Sequence, residues 1–157
     1  MLGLMKRTFT TRDAAHWLKI YTTYIRSQLE FAVPAWNPYF KYDINRLEQV
    51  QHRATRVAHS MRGVEYSKRL ERLGLTTLVK RRARGDLIQK FKLERGIDDI
   101  NWHFPPTVIS ARASRRNAAG REQLEREVNF HCLPRHHFFN NRIVKEWNEL
   151  PVVLAEG

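Results

Sequence analysis

The sequence predicts a mainly α chain, a basic helical bundle over residues 1–97 followed by a hinge and a small α+β tail over residues 98–157. Three observations predict this division. Apolar residues recur at helical spacing in long stretches before Gly96 and once more near the end. The single alternating, strand-like stretch lies beyond residue 123. Charge is segregated: the 157 residues carry 28 Lys plus Arg against 16 Asp plus Glu, a formal net charge of +12. Of these, 20 basic and 8 acidic residues precede Asp98, and 8 of each lie from Asp98 onward. At 42% apolar and 28% charged the chain can bury a core and is not a low-hydrophobicity disordered sequence.

The first helix is expected over residues 10–31. Thr10 as N-cap and Asp13 in an acidic first turn start it. Ala14, Trp17, Leu18, Tyr21, Tyr24, Ile25 and Leu29 supply its periodic face, with Trp17, Tyr21 and Tyr24 as core, and Pro34 and Pro38 follow its end. A second helix is expected from Asp43, its N-cap, to Met61, with Ile44, Leu47, Val50, Ala54, Val57, Ala58 and Met61 on one arc. Arg46, Arg53 and Arg56 border that arc, and Gly63 closes the helix. A short helix, Ser67 to Leu73, stops at Gly74. The third long helix starts at Thr76 or Thr77 and ends near Gly96. Its apolar residues Val79, Ala83, Leu87 and Phe91 lie four apart, with Leu78 and Ile88 beside them.

Lys80, Arg81, Arg82 and Arg84 crowd the first turns of that helix, where positive charge opposes the macrodipole. The sequence therefore predicts an anion or carboxylates near this end. Asp86, one turn after Arg82, predicts a structural Arg82–Asp86 pair or a longer-range one. Beyond Gly96, residues 101–120 read as a loop or hinge. Leu124, Val128, Phe130 and Cys132 alternate with polar residues as a strand that Pro134 ends, which puts Cys132 on the buried side. A last helix from about His136 to Leu150 carries Phe139, Ile143, Trp147 and Leu150 on one stripe.

Little catalytic chemistry is visible. Asp98-Asp99 could suggest the paired carboxylates of a polymerase, but it follows Gly96-Ile97 at a helix end, so a surface or helix-terminal pair is the better reading. His131, Cys132, His136 and His137 have metal-ligand residue types, yet the spacing crosses Pro134 and no second cysteine is available. One cysteine excludes an intramolecular disulfide and gives no reason to expect secretion. No apolar run approaches the roughly 20 residues of a spanning helix, so an integral membrane protein is not expected. On charge an anionic membrane surface or an acidic protein ranks behind nucleic acid, and no membrane is expected among the partners. Lys80-Arg81-Arg82-Ala83-Arg84 has the density of a nuclear-import segment, though a phosphate-contacting helix face is the stronger reading, and the expected location is nuclear or cytoplasmic.

Of the basic residues 20 are Arg and 8 are Lys. Guanidinium forks match phosphate oxygens, which makes nucleic acid the leading partner on charge. Arg46, Arg53, Arg56, Lys80, Arg81, Arg82 and Arg84 are the candidate phosphate contacts. If some six of them form, log K for duplex DNA falls with log salt at a slope of roughly −5.

Four segments in order carry a resemblance: residues 29–39 (LEFAVPAWNPY), 47–56 (LEQVQHRATR), 69–86 (RLERLGLTTLVKRRARGD) and 138–151 (FFNNRIVKEWNELP). Together they resemble the region just downstream of the polymerase core in reverse transcriptases of jockey-like, LINE-type non-LTR retrotransposons. The resemblance covers nearly the whole chain and is weakest over residues 101–123. It implies a thumb-like bundle and post-thumb segment that follow the backbone of an RNA–DNA hybrid or duplex, beside palm and fingers of the same polyprotein. The family activity is RNA-directed DNA synthesis. The family's aromatic-x-Asp-Asp box and its other palm carboxylate lie upstream of the residues present, and the downstream Cys/His knuckle of some relatives has no counterpart. The chain is therefore expected to be inactive alone and to bind no cofactor, with Mg2+ needed only in the missing palm. The alternative is a non-catalytic interaction module, or an expressed remnant of a decayed element. In that case Trp36, Tyr39 and Trp102, which would otherwise pack on the palm, are left exposed for self-association.

Overall fold

The computed structural model describes residues 1–103, 105–109, 123–128 and 131–150. The chain is mainly helical, and it packs as two compact units. The first comprises residues 1–33 and 38–82, the second residues 34–37 and 83–157.

The first unit opens with a helix that the sequence reading did not include, α1 (Leu2–Thr8). Its Leu2 and Met5, with Phe9 beyond it, pack on the core at three- and four-residue spacing. Arg12 closes its C-terminal end, where carbonyls lack helical partners, donating from Nη2 to the Lys6 carbonyl at 2.7 Å and from Nη1 to the Phe9 carbonyl. The expected first helix begins four residues after Thr10. Asp13 is the N-cap, its carboxylate accepting from the His16 backbone N–H at 3.0 Å. It then runs as α2 (Ala14–Ile20), a π-helical stretch (Tyr21–Arg26) and a closing turn, α3 (Ser27–Leu29). The Thr22 hydroxyl donates back to the Leu18 carbonyl and the Ser27 hydroxyl to the Thr23 carbonyl, within the stretch where the winding widens. Trp17, Ile20, Tyr21 and Ile25 are buried, but Tyr24 is exposed and does not join the core expected of it.

The second helix, α4 (Lys41–Thr55), starts two residues before Asp43, which sits in the acidic first turn instead of at the cap. It also ends six residues short of Met61. The Ala54 carbonyl, which a continuing helix would offer to residue 58, accepts the Trp17 indole N–H at 2.7 Å and the Val57 N–H at 3.1 Å. The chain turns there and makes a single 3-10 turn (His59–Met61), so Gly63 does not close α4. Val57, Ala58 and Met61 are nevertheless buried as the arc required.

The short helix α5 (Tyr66–Arg72) ends in a glycine-dependent cap. Gly74, at φ 61°, donates to the Glu71 carbonyl at 3.1 Å, and Leu75 donates to the Leu70 carbonyl at 2.8 Å. Leu70 and Leu75 meet in the core beside Tyr21, Ile25 and Ala54. Helix α6 (Leu78–Glu94) ends the same way at Gly96, φ 65°, with Ile97 donating to the Lys92 carbonyl at 2.9 Å. Residues 78–82 of α6 belong to the first unit and the remainder to the second. Its buried stripe is not the apolar one. Leu78, Arg82, Asp86 and Lys90 are buried at four-residue spacing, whereas Val79 and Ile88 are exposed.

In the second unit Leu124, Phe139, Ile143 and Trp147 form the core, with Leu87, Phe91, Leu93 and Trp102 packed against it. The strand expected over residues 124–132 is not formed among the described residues. Residues 123–125 make only an isolated antiparallel bridge, Val108 opposite Leu124. Two asparagines supply the remaining pairing. Asn148 accepts from the Leu124 N–H at 3.0 Å and donates to its carbonyl at 2.9 Å, and Asn141 does the same for Glu127 at 2.9 and 3.1 Å. Side-chain amides thus stand in for a neighbouring strand, so the alternating texture needs no ladder. Val128 is 70% exposed and Cys132 is exposed, which overturns the expectation of a buried thiol; Phe130 lies outside the described residues. The final helix is broken into α7 (Leu133–His136), α8 (Phe139–Arg142) and α9 (Val144–Glu149). Its stripe survives, with Phe139, Ile143 and Trp147 buried.

Candidate nucleic-acid interface

Arg46, Arg53 and Arg56 follow one side of α4 and its C-cap. At 1.5 Å per residue they span about 15 Å along the helix axis. All three are exposed, and none forms an ion pair among the described residues. Arg46 lies over the Tyr42 ring at 5.5 Å, which keeps its guanidinium along the helix surface. Lys80, in the first turn of α6, is exposed as well, with its backbone N–H held by the Thr77 hydroxyl at 3.4 Å.

The structure removes Arg81 and Arg82 from the candidate set. Both Glu30 carboxylate oxygens accept from Arg81, one from Nε and the other from Nη2 at 2.9 Å. That pairing raises the Arg81 pKa above the ordinary arginine value against the opposing effect of burial. Arg82 is 4% exposed and donates from Nη1 to the Leu29 carbonyl, one of the carbonyls left open at the end of α3. A guanidinium so enclosed has no face to offer a phosphate. Arg84 is exposed and belongs to the second unit.

Carboxylates do wait at the start of α6. Besides Glu30, Glu48 of α4 accepts the Leu78 backbone N–H at 2.9 Å through Oε2 and the Tyr66 hydroxyl through Oε1. It forms one corner of a buried polar network centred on Gln51. The Gln51 amide accepts from the Tyr21 hydroxyl at 2.6 Å and donates to Tyr66 Oη at 2.9 Å and to the Thr76 carbonyl at 3.0 Å. Burial, above all, raises both phenol pKa values far above the ordinary tyrosine value. The network ties the π-helical stretch, α4, α5 and the start of α6 together, and so fixes the helix faces that carry Arg46, Arg53, Arg56 and Lys80.

Asp86 has the longer-range partner. Arg142 grips it through two bonds, Nε to Oδ2 and Nη2 to Oδ1, each 2.8 Å. Sequence reasoning identified Asp86 as a structural ion but had no signal for a partner 56 residues away. Arg69 was likewise missed as a special residue. It is 2% exposed on α5, stacked on Tyr66 with its guanidinium carbon 5.4 Å from the ring centre.

Asp98 accepts from the Gln89 amide at 2.9 Å and lies 3.8 Å from Lys92 Nζ, a helix-terminal placement. His136 and His137 meet edge to face at 5.0 Å, and burial, followed by the charge of His136, lowers the His137 pKa. Among the described residues no three His, Cys, Asp or Glu side chains converge as metal ligands. None of the described helices is long and apolar enough to cross a membrane. Of the aromatics expected to be left uncovered, Trp36 is exposed, but Tyr39 is only half-buried against Phe40, and Trp102 stacks on Phe139 at 6.3 Å. Comparison of the chain with protein-family models, curated proteins and solved structures finds no match.

Proposed function

We propose that this chain is the thumb and post-thumb region of a non-LTR retrotransposon reverse transcriptase, and that it holds the backbone of an RNA–DNA hybrid or duplex without reading its sequence. The observation that carries the binding reading is the row Arg46, Arg53 and Arg56, with Lys80: exposed cations with no carboxylate partner among the described residues. Arginine forks of this kind suit phosphate oxygens and leave base edges unread. The polymerase assignment rests on the four segments that resemble the family. RNA-directed DNA synthesis, with its Mg2+, belongs in this reading to palm and fingers of the same polyprotein.

Replacing six contacts by the four exposed cations of the first unit changes the expected salt slope to roughly −4. Anisotropy of labelled duplexes of unrelated sequence measures it. Arg46→Gln, Arg53→Gln and Lys80→Gln together should weaken every duplex alike and flatten the slope by roughly 3. Affinity independent of salt, or loss confined to one sequence, overturns the reading.

A second reading is favoured by the exposed aromatics Tyr24, Phe31, Phe40 and Tyr42 of the first unit. Uncovered aromatic surface of this kind marks an interaction module that associates with itself or another protein. Light scattering after size exclusion in high salt separates the two: a monomer that binds duplex supports the first, and an oligomer indifferent to nucleic acid supports the second.

A further inference from the structure

Tyr42 heads the cation row of α4. At about 3.6 residues per turn Tyr42, Arg46, Gln49, Arg53 and Arg56 fall within an arc of about 80°, a single stripe along the helix. All five are exposed, and the stripe carries three guanidinium groups and no carboxylate. Asp43, the acid of the first turn, lies roughly 100° round the helix from Tyr42, and Glu48 is engaged by Tyr66 and Leu78. Tyr42 is 69% exposed, with the Arg46 guanidinium carbon 5.5 Å from its ring centre. Two other cation–ring pairs of the first unit hold up its interior. Trp17 beneath Arg12 donates to the Ala54 carbonyl, and Tyr66 beneath Arg69 donates to Glu48. Tyr42 packs on neither apolar cluster of the first unit among the described residues. It is an aromatic ring set among cations, open to solvent and unused by the core.

We propose that Tyr42 and Arg46 form a base-stacking platform, which takes an unpaired nucleotide where a bound duplex ends in a single-stranded extension. The platform deepens the backbone-binding reading, on which its choice of ligand rests. One nucleotide brings both of the groups that this pair suits. Its base stacks on the ring whatever its identity, since every base has a π-face, and its phosphate meets the Arg46 fork about 6 Å further along the helix axis. Stacking also draws the base beside a guanidinium already paired with the ring. Inside a duplex the bases are paired and stacked on one another, so the ring has nothing to take up until the strands part. The stripe thereby gains a direction. Paired nucleic acid lies along Arg53 and Arg56, and the strand leaves its complement near Tyr42.

Anisotropy titrations of the full chain with DNA ligands of matched sequence test it. The ligands are a blunt duplex, the same duplex with a short extension on either strand, and the same extensions built from abasic sites. Abasic extensions keep every phosphate and remove the bases, so charge is held constant between the two. The extension with bases should bind about tenfold more tightly than its abasic counterpart on at least one strand. A fluorescent adenine analogue in that extension, whose emission falls on stacking, should dim on binding. Tyr42→Leu, an apolar replacement at an exposed site, should erase both the affinity difference and the dimming. Tyr42→Phe, which keeps the ring, should retain both. Equal affinity for extensions with and without bases, while duplex still binds with its salt slope, overturns the platform and leaves the interface standing. Base-dependent binding of the extension alone, lost in Tyr42→Leu, with no affinity for duplex keeps the platform and overturns the duplex interface. No binding of any ligand overturns both. A difference that survives in Tyr42→Leu, or is lost equally in Tyr42→Phe, assigns the effect to something other than the ring face and overturns the platform.

Discussion

Glu48 joins what looked like two separate facts in the sequence, a polar position on α4 and a helix that begins with Lys80, Arg81 and Arg82. Its carboxylate caps α6 through the Leu78 N–H and holds Tyr66, so a negative charge lies where the macrodipole and the basic first turn both favour one. Glu48→Ala removes a cap and leaves the Tyr66 hydroxyl without its acceptor. It should destabilise the first unit by about 2–3 kcal/mol, read by chemical denaturation. Glu48→Gln keeps one acceptor oxygen and should cost visibly less. An equal loss in both variants would mean that the charge, and not the hydrogen bonds, is what matters. The periodic pattern identified Leu47, Val50 and Ala54 as inward-facing, but it gives no signal for which polar neighbour joins them. Gln51, fully buried, and Arg69 were therefore illegible. A buried polar side chain is chosen by partners distant in sequence, here Tyr21, Tyr66 and Thr76.

At the scale of elements, legibility followed local chemistry. The helix ends at Gly74 and Gly96 were readable because the cap needs a residue comfortable at positive φ, and that requirement is written in the residue itself. Gly74→Ala should accordingly cost about 1–2 kcal/mol through left-handed strain. Gly85, inside α6 with open space around a built Cβ, should respond in the opposite sense. Gly85→Ala should stabilise by about 0.5–1 kcal/mol through helix propensity alone. Denaturant midpoints of the two variants check both signs. The C-terminal end of α4 was not readable, because what stops it is the Trp17 indole on the Ala54 carbonyl, a contact across 37 residues. Nor was the missing strand readable. Alternation reports that a segment is extended with one face covered, and asparagine clamps satisfy that pattern as well as a ladder does. In α6 the apolar stripe and the buried stripe differ by one position, since Leu29, Arg142 and Trp147 give Arg82, Asp86 and Lys90 polar or aromatic partners.

For the molecule as a whole, pH should act from both sides. The pKa values of His52 and His137 lie below the ordinary histidine value in the folded chain, so the unfolded chain binds protons first on acidification. Their contribution to stability is present above the unfolded value near 6.5 and is lost as pH falls through the folded values. Tyr21 and Tyr66 shift upward, so their contribution is present below pH 10 and is lost as pH rises through the folded values. Denaturation profiles across pH should show both limbs. The double variant His52→Gln, His137→Gln should flatten the acid limb below the unfolded histidine value near 6.5, and an unchanged limb would assign it to other groups. The buried charges of α6 have a further consequence. Enclosed pairs such as Arg142 with Asp86 feel dissolved ions far less than the open row on α4 does. Added salt should therefore screen the open row on α4 while leaving the enclosed Arg142–Asp86 pair of the second unit nearly unchanged.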